Sequence, residues 1–140
     1  MPSIFTRMIQ GEIPCHVVAE SSKFIAILDI YPRNQGHTLV IPKKEVDNVQ
    51  DMTPEDFAQL TAFAHQIGSL LRNQLKSKRI GWAIAGFEVP HVHIHLIPSN
   101  QMEDMNLHRP GQRADDEELT ILAASLRQEY ANQQGSTRNT

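Results

Sequence analysis

A chain of 140 residues with a formal net charge of −3 fits one domain long enough to bury a core, and this balance argues against a general nucleic-acid or anionic-membrane surface. Cys15 is the single cysteine, which excludes an intrachain disulfide and a cysteine-based zinc site and fits a reducing, cytoplasmic setting. The N-terminus has no signal-peptide pattern, and no stretch approaches the roughly 20 apolar residues needed to span a bilayer.

Residues 3–10 predict a short helix, with Ser3 as N-cap and Ile4, Phe5, Met8 and Ile9 apolar; Pro14 ends it. His16–Glu20 and Phe24–Asp29 read as strands joined by a Ser21-Ser22-Lys23 turn. A loop from Pro32 to Gly36 leads to a strand over Thr38–Pro42. The clearest helix is 54–75. Thr53 caps it, Pro54 holds its first position, Glu55 and Asp56 favour the positive end of its dipole, and Met52 and Phe57 stand where a hydrophobic staple forms. Phe57, Leu60, Ala64, Ile67 and Leu71 mark its buried face. Strands are expected at 80–86 and 91–97, then a polar stretch over 99–114 without a clear period. A second helix is expected over Asp115–Tyr130, with Leu119, Leu122, Ala123 and Leu126 inward.

Consecutive hairpin-like strands with an inserted helix indicate an α+β domain around an antiparallel sheet. Residues 1–130 form that domain in this reading, and 131–140, rich in Asn, Gln, Ser, Thr and Gly, form a flexible tail. The helices are expected on the apolar face of the sheet, leaving the other face to a ligand, the tail or another subunit.

That other face carries the most distinctive residues. In His91-Val92-His93-Ile94-His95-Leu96-Ile97, histidines alternate with branched apolar residues. On a strand, alternate side chains share a face, so the three imidazoles project together while Val92, Ile94 and Leu96 point into a core. Histidine titrates near neutral pH and serves as nucleophile, acid, base or ligand, so three in a row suit chemistry better than solubility. A His-rich surface strand and an accidental metal site are the bland alternatives.

The run resembles the signature of the histidine triad family, His-apolar-His-apolar-His-apolar-apolar, at all seven places. Ser3-Ile4-Phe5 through Glu12-Ile13-Pro14 is similar to that family's opening segment, and Leu28-Asp29-Ile30 with Gly36-His37-Thr38-Leu39-Val40-Ile41-Pro42-Lys43 to a second one. The resemblance covers roughly residues 3–98. It implies a five-stranded antiparallel sheet with one long and one C-terminal helix, a homodimer paired through 54–75 and 79–86, and a purine nucleotide substrate with no cofactor.

The resemblance also assigns roles. His93 is the nucleophile at the α-phosphorus, passing through a nucleotidyl-histidine intermediate, and a backbone carbonyl near His91 holds its other nitrogen's proton. His95 and His37 fall where donors face the non-bridging phosphate oxygens. Asp29 is placed to accept ribose hydroxyls, with a turn-starting role as its plain alternative. Ile4, Phe5, Met8, Ile13, Ile27 and Ile30 match positions that line the base pocket, and would serve equally as core. His16, His65 and His108 have no such setting and are read as non-catalytic.

The pattern breaks before the triad. Many nucleotide-hydrolysing members carry Asn, Gln and Ser or Thr there; residues 79–90 contain none of these. Phe87 and Glu88 replace the usual Gln and Ser or Thr. Glu88 is a general-acid candidate if its apolar neighbours Phe87, Val89 and Pro90 raise its pKa, with a solvated strand-end residue as the alternative. Some members also bear a Cys-x-x-Cys zinc site near the N-terminus; Ser3-Ile4-Phe5-Thr6 stands there instead, so no metal is expected.

The expected function is a phosphoramidase-like hydrolase that releases a nucleoside 5′-monophosphate from an amine, acyl or phosphate leaving group. Dinucleoside polyphosphate hydrolysis and nucleotide binding with little turnover are the alternatives. A metalloprotein is disfavoured because the first acid after His95 is Glu103.

Overall fold

The computed structural model describes residues 2–109 and 111–138, with side chains through residue 135. In chain order the elements are helix α1 (Ile4–Ile9), strands β1 (Val17–Glu20), β2 (Phe24–Leu28) and β3 (Thr38–Pro42), helix α2 (Pro54–Gln74), strands β4 (Arg79–Ala83) and β5 (Ile94–Ser99), and helix α3 (Asp116–Arg138). Single 3-10 turns occupy Val49–Asp51 and Met102–Met105, the second within the stretch that showed no period.

The five strands form one antiparallel sheet in the order β1-β2-β3-β5-β4. The fold is therefore α+β, as the strand pattern predicted. Inserting α2 between β3 and β4 brings β5 beside β3, pairing Leu39 with His95 and Val40 with Ile94. This register puts His95 on the same face as Leu39 and, across the β2–β3 pairing, Ile27.

Both faces of the central strands are covered, so every residue of β2 and β3 is buried. On one face, α2 and α3 pack Leu60, Ile67, Leu70, Leu71 and Leu126 against Ala26, Val40, Ile94 and Leu96. On the other, Phe5 of α1 covers a smaller cluster of Ile25, Ile27, Leu39 and Ile41. The histidine face is thus partly roofed by the chain's own first helix.

Thr53 caps α2 as expected, its hydroxyl accepting from the Asp56 N–H. The buried face is broader than the sequence period suggested: Phe63 and Leu70 are inside, while Phe57 is 36% exposed. The reason is that α2 packs against the sheet on one side and the neighbouring α3, which itself lies over β1 and β2, on another. The second helix also runs past Tyr130 to Arg138, where a tail was expected. A contact from α2 reaches this part, where Gln66 donates to Gln134, and another just before it, where Gln74 donates to Glu129. Asn139 and Thr140 of that expected tail lie outside the described residues. No helix among the described residues is long and apolar enough to cross a membrane.

Candidate active site

The approach to the triad is bent rather than extended. β4 ends at Ala83, and regular pairing resumes only at Ile94, so His95 alone of the three histidines lies on the ladder. Gly86 takes a φ of +84°, Pro90 follows, and the His91 N–H turns back to the Val89 carbonyl at 2.8 Å. Alternation nevertheless survives in this extended stretch. His91 and His93 both meet the Phe5 ring edge-on, at 5.7 and 4.9 Å between centroids, and His93 meets His95 at 4.9 Å.

His91 and His93 are buried at 0% and 5% exposure. Each ring has one nitrogen fixed by a carbonyl, which only accepts and so assigns the proton. His93 Nδ1–H donates to the His91 carbonyl at 2.7 Å, leaving Nε2 with its lone pair. His91 Nε2–H donates to the Pro42 carbonyl at 2.7 Å, leaving Nδ1 to Ser3 Oγ at 2.6 Å. Burial first, and the charge of His91 after it, push the His93 pKa down, against a rise from its bond to the His91 carbonyl.

A second chain of assigned protons starts at Arg33. Its backbone N–H donates to His37 Nδ1 at 3.1 Å, so the His37 proton sits on Nε2. That Nε2–H donates to His95 Nδ1 at 2.9 Å, so His95 carries its own proton on Nε2. Burial foremost, then the His95 and Arg33 charges, pushes His37 down to about 3. Burial and the neighbouring His93 and Arg33 charges push His95 down to about 4. Two neutral rings in series thus present one N–H donor. Gly36 makes this placement possible, since its φ is +88° and a Cβ there would run into Leu75.

Asp29 follows β2 and performs two tasks. Its Oδ1 accepts the Tyr31 N–H at 2.8 Å, which is the turn role, while Oδ2 stands 3.7 Å from His37 Nε2 and 3.9 Å from Arg33 Nη1. Burial raises its pKa, against the Tyr31 bond and the Arg33 charge.

The residues proposed from sequence converge. Ile4, Phe5, Met8, Ile13, Ile27, Asp29 and Ile30 line one cavity of about 730 Å³, together with His93 and His95. Glu88 lies at the junction of this cavity with a smaller one of about 230 Å³. Both Glu88 and its neighbour Phe87 are exposed, Phe87 at 96%, so the apolar enclosure expected around a general acid does not form. His16 stands on the wall of the large cavity beside Asp116, and His108 on that of the small one, while His65 lies away from both.

Three polar residues of the site went unnoticed in the sequence. Ser3 was visible only as a cap, which it is, accepting the Thr6 N–H at 3.0 Å. Its further link to His91 joins residues 88 apart in sequence. Glu45 accepts from the Ser3 N–H at 2.6 Å and the Thr6 hydroxyl at 2.7 Å, and these bonds hold its carboxyl below the ordinary value. The Ser3-Ile4-Phe5-Thr6 stretch is therefore a hydrogen-bonded latch from α1 to the triad. The third residue is Arg33, whose only local sign was the loop containing it.

Asp29, His37 and His95 also bring donor atoms within 4.8 Å of one another, so the carboxylate that sequence spacing failed to supply to a metal comes from the loop after β2. The tautomers oppose a cation there. A metal on His37 Nε2 would move its proton to Nδ1, against the Arg33 N–H that donates into it.

A bent strand that stacks histidines between two cavities, on a five-stranded α+β sheet, defines the histidine triad class of protein. The HIT domain model matches residues 10–102. An uncharacterized HIT-like protein of Helicobacter pylori is 34% identical over 102 residues, covering 71% of this chain and 98% of that protein. The adenosine 5′-monophosphoramidase hnt1 of Schizosaccharomyces pombe is 31% identical over 131 residues, covering 90% and 96%. The crystal structure of a Hit-like protein from Bartonella henselae superposes with a TM-score of 0.77 at 29% identity, covering 89% and 93%. The chain belongs to the HIT, or histidine triad, family.

Proposed function

We propose that the protein is a nucleotide-binding hydrolase that cleaves a purine nucleoside 5′-monophosphate from an amine, acyl or phosphate leaving group. The observation that carries this reading is the His93 Nδ1–H bond to the His91 carbonyl, which leaves a buried, unprotonated Nε2 as a nucleophile. Nε2 attacks the α-phosphorus, the bond to the leaving group breaks, and the leaving group departs with a proton taken from solvent, which the attacking water of the second step returns. Water then cleaves the phosphorus–nitrogen bond, releasing the monophosphate and restoring His93. The His95 Nε2–H, held by His37, is available to the phosphoryl oxygens as charge develops there. Asp29 and the apolar wall of the large cavity would take the ribose and the base.

Nucleotide binding with slow turnover is the second reading. It is favoured by the lack of Asn, Gln, Ser and Thr over 79–90 and by the exposure of Glu88. The homodimer belongs to the same proposal. β4 is an edge strand whose Trp82 is 42% exposed, and a two-fold partner would cover that edge. The cytoplasmic setting rests on the single cysteine.

The test is a labelled adenosine phosphoramidate, quenched in acid-free conditions and analysed for adenylate on His93. Wild type should trap it, and His93→Ala should lose turnover by about three decades or more. Near-wild-type turnover in His93→Ala would remove His93 from the mechanism.

A further inference from the structure

The hydrolase reading puts the nucleoside in the large cavity, yet His93 and His95 line the smaller one as well. The reacting phosphorus would therefore sit at a junction, with the nucleoside on one side. The other side has a charged wall. The Arg33 side chain is only 10% exposed, and its Nη1 and Nη2 donate to the carbonyls of Tyr31 at 3.0 Å and Leu107 at 2.9 Å. These partners are neutral, and the Asp29 carboxylate stands off at 3.9 Å. Arg33 Nε is a buried polar atom with no hydrogen-bond partner. A guanidinium so enclosed, balanced only by a long ion pair to Asp29, bears a desolvation cost that a closer anion would offset.

We propose that the small cavity is the leaving-group subsite and that Arg33 selects leaving groups bearing an anion, a carboxylate or a phosphate, beyond the scissile bond. The proposal rests on the hydrolase reading above and specifies its substrate class. Ala85, Phe87 and Leu107 supply an apolar wall for a short aliphatic arm between the phosphorus and that anion. Arg33 would also supply a polar contact that residues 79–90, without Asn, Gln, Ser or Thr, do not. Glu88, on the wall of the same cavity, would oppose the anion and set how strong the preference is.

The test compares three adenosine 5′-phosphoramidates built on propylamine, β-alanine and 2-aminoethyl phosphate, whose arms are similar and whose anions differ. In wild type, kcat/KM should be at least about tenfold higher for an anionic substrate than for the propyl one, as expected for a charge-assisted contact. Whichever anionic arm leads identifies the source as carboxylate or phosphate. Arg33→Gln should bring the anionic-to-neutral ratio close to one, and Glu88→Gln should raise it. A ratio near one in wild type, or one unchanged in both variants, overturns the proposal. Binding is read separately with AMP and α,β-methylene-ADP by calorimetry. Tighter binding of the methylene compound, lost in Arg33→Gln, supports the subsite even if none of the three substrates is cleaved, an outcome that would sink the hydrolase reading alone. Equal binding of both compounds in wild type overturns the subsite.

Discussion

Acidification should destabilise this protein through the His37–His95 pair, and the size of the effect follows from their burial. Both fold with pKa values depressed from 6.5, His37 to about 3 and His95 to about 4. Between these limits the unfolded chain binds protons that the native protein refuses. Stability rises with pH wherever the unfolded state holds more protons, so this contribution is complete above about pH 6.5 and is lost as pH falls toward the folded values. Each ring contributes a slope of at most about 1.4 kcal/mol per pH unit. Over the window from 6.5 to about 4 that amounts to roughly 3 kcal/mol for His37, and less for the partly solvent-facing His95. Against a domain stability of about 5–15 kcal/mol the loss is large. Urea unfolding followed by circular dichroism, at steps from about pH 7 to about pH 4, measures it. His37→Asn removes the ionisation while keeping an acceptor for the Arg33 N–H. It should flatten the slope by about one proton's worth, roughly 1.4 kcal/mol per pH unit near pH 5. Identical slopes in wild type and His37→Asn would show that His37 is not held neutral, and the donor chain through His95 would fall with it.

The same burial should shape the rate profile: the acid limb of kcat/KM should fall below 6.5, because burial depresses the His93 pKa, and an acid limb at or above 6.5 would contradict that. Ser3→Ala should cost about 2–3 kcal/mol, since it removes the cap on Thr6 and leaves His91 Nδ1 buried without a partner; kcat should fall as the carbonyl behind His93 loosens. A loss under about 0.5 kcal/mol in chemical denaturation would mean the latch does not bear on stability. AMP or GMP should bind equally well in excess chelator, with the His95 N–H taking the place of a cation; binding that disappears and returns with magnesium would refute this.

The triad was legible because its signal is local. Period-two alternation forces His91, His93 and His95 onto one face whatever the surrounding fold, and it survives the break in regular pairing. The capping of α2 was legible for the same reason, since Thr53 and Pro54 act on their own backbone. The seven residues that the family resemblance matched to nucleotide-binding positions line one cavity. Whether Phe5 is core or pocket lining had no answer in sequence; it is both, covering Ile27 and Leu39 while meeting two of the histidines.

What only the tertiary structure decided are the partners of those histidines. Glu45 and Ser3 behind His91, Arg33 and Asp29 around His37, and the Pro42 carbonyl are brought together by sheet order and by the burial of α1, not by any spacing along the chain. The extension of α3 through a polar segment is likewise assisted by packing, because Asn132 and Gly135 are poor helix formers and the bond from Gln66 of α2 to Gln134 supplies part of the difference. Sequence fixes which imidazoles share a face, because that depends on the geometry of one strand. Which nitrogen carries the proton, and how far burial lowers each pKa, depends on donors and carbonyls from distant segments, which only the folded chain brings within hydrogen-bonding reach.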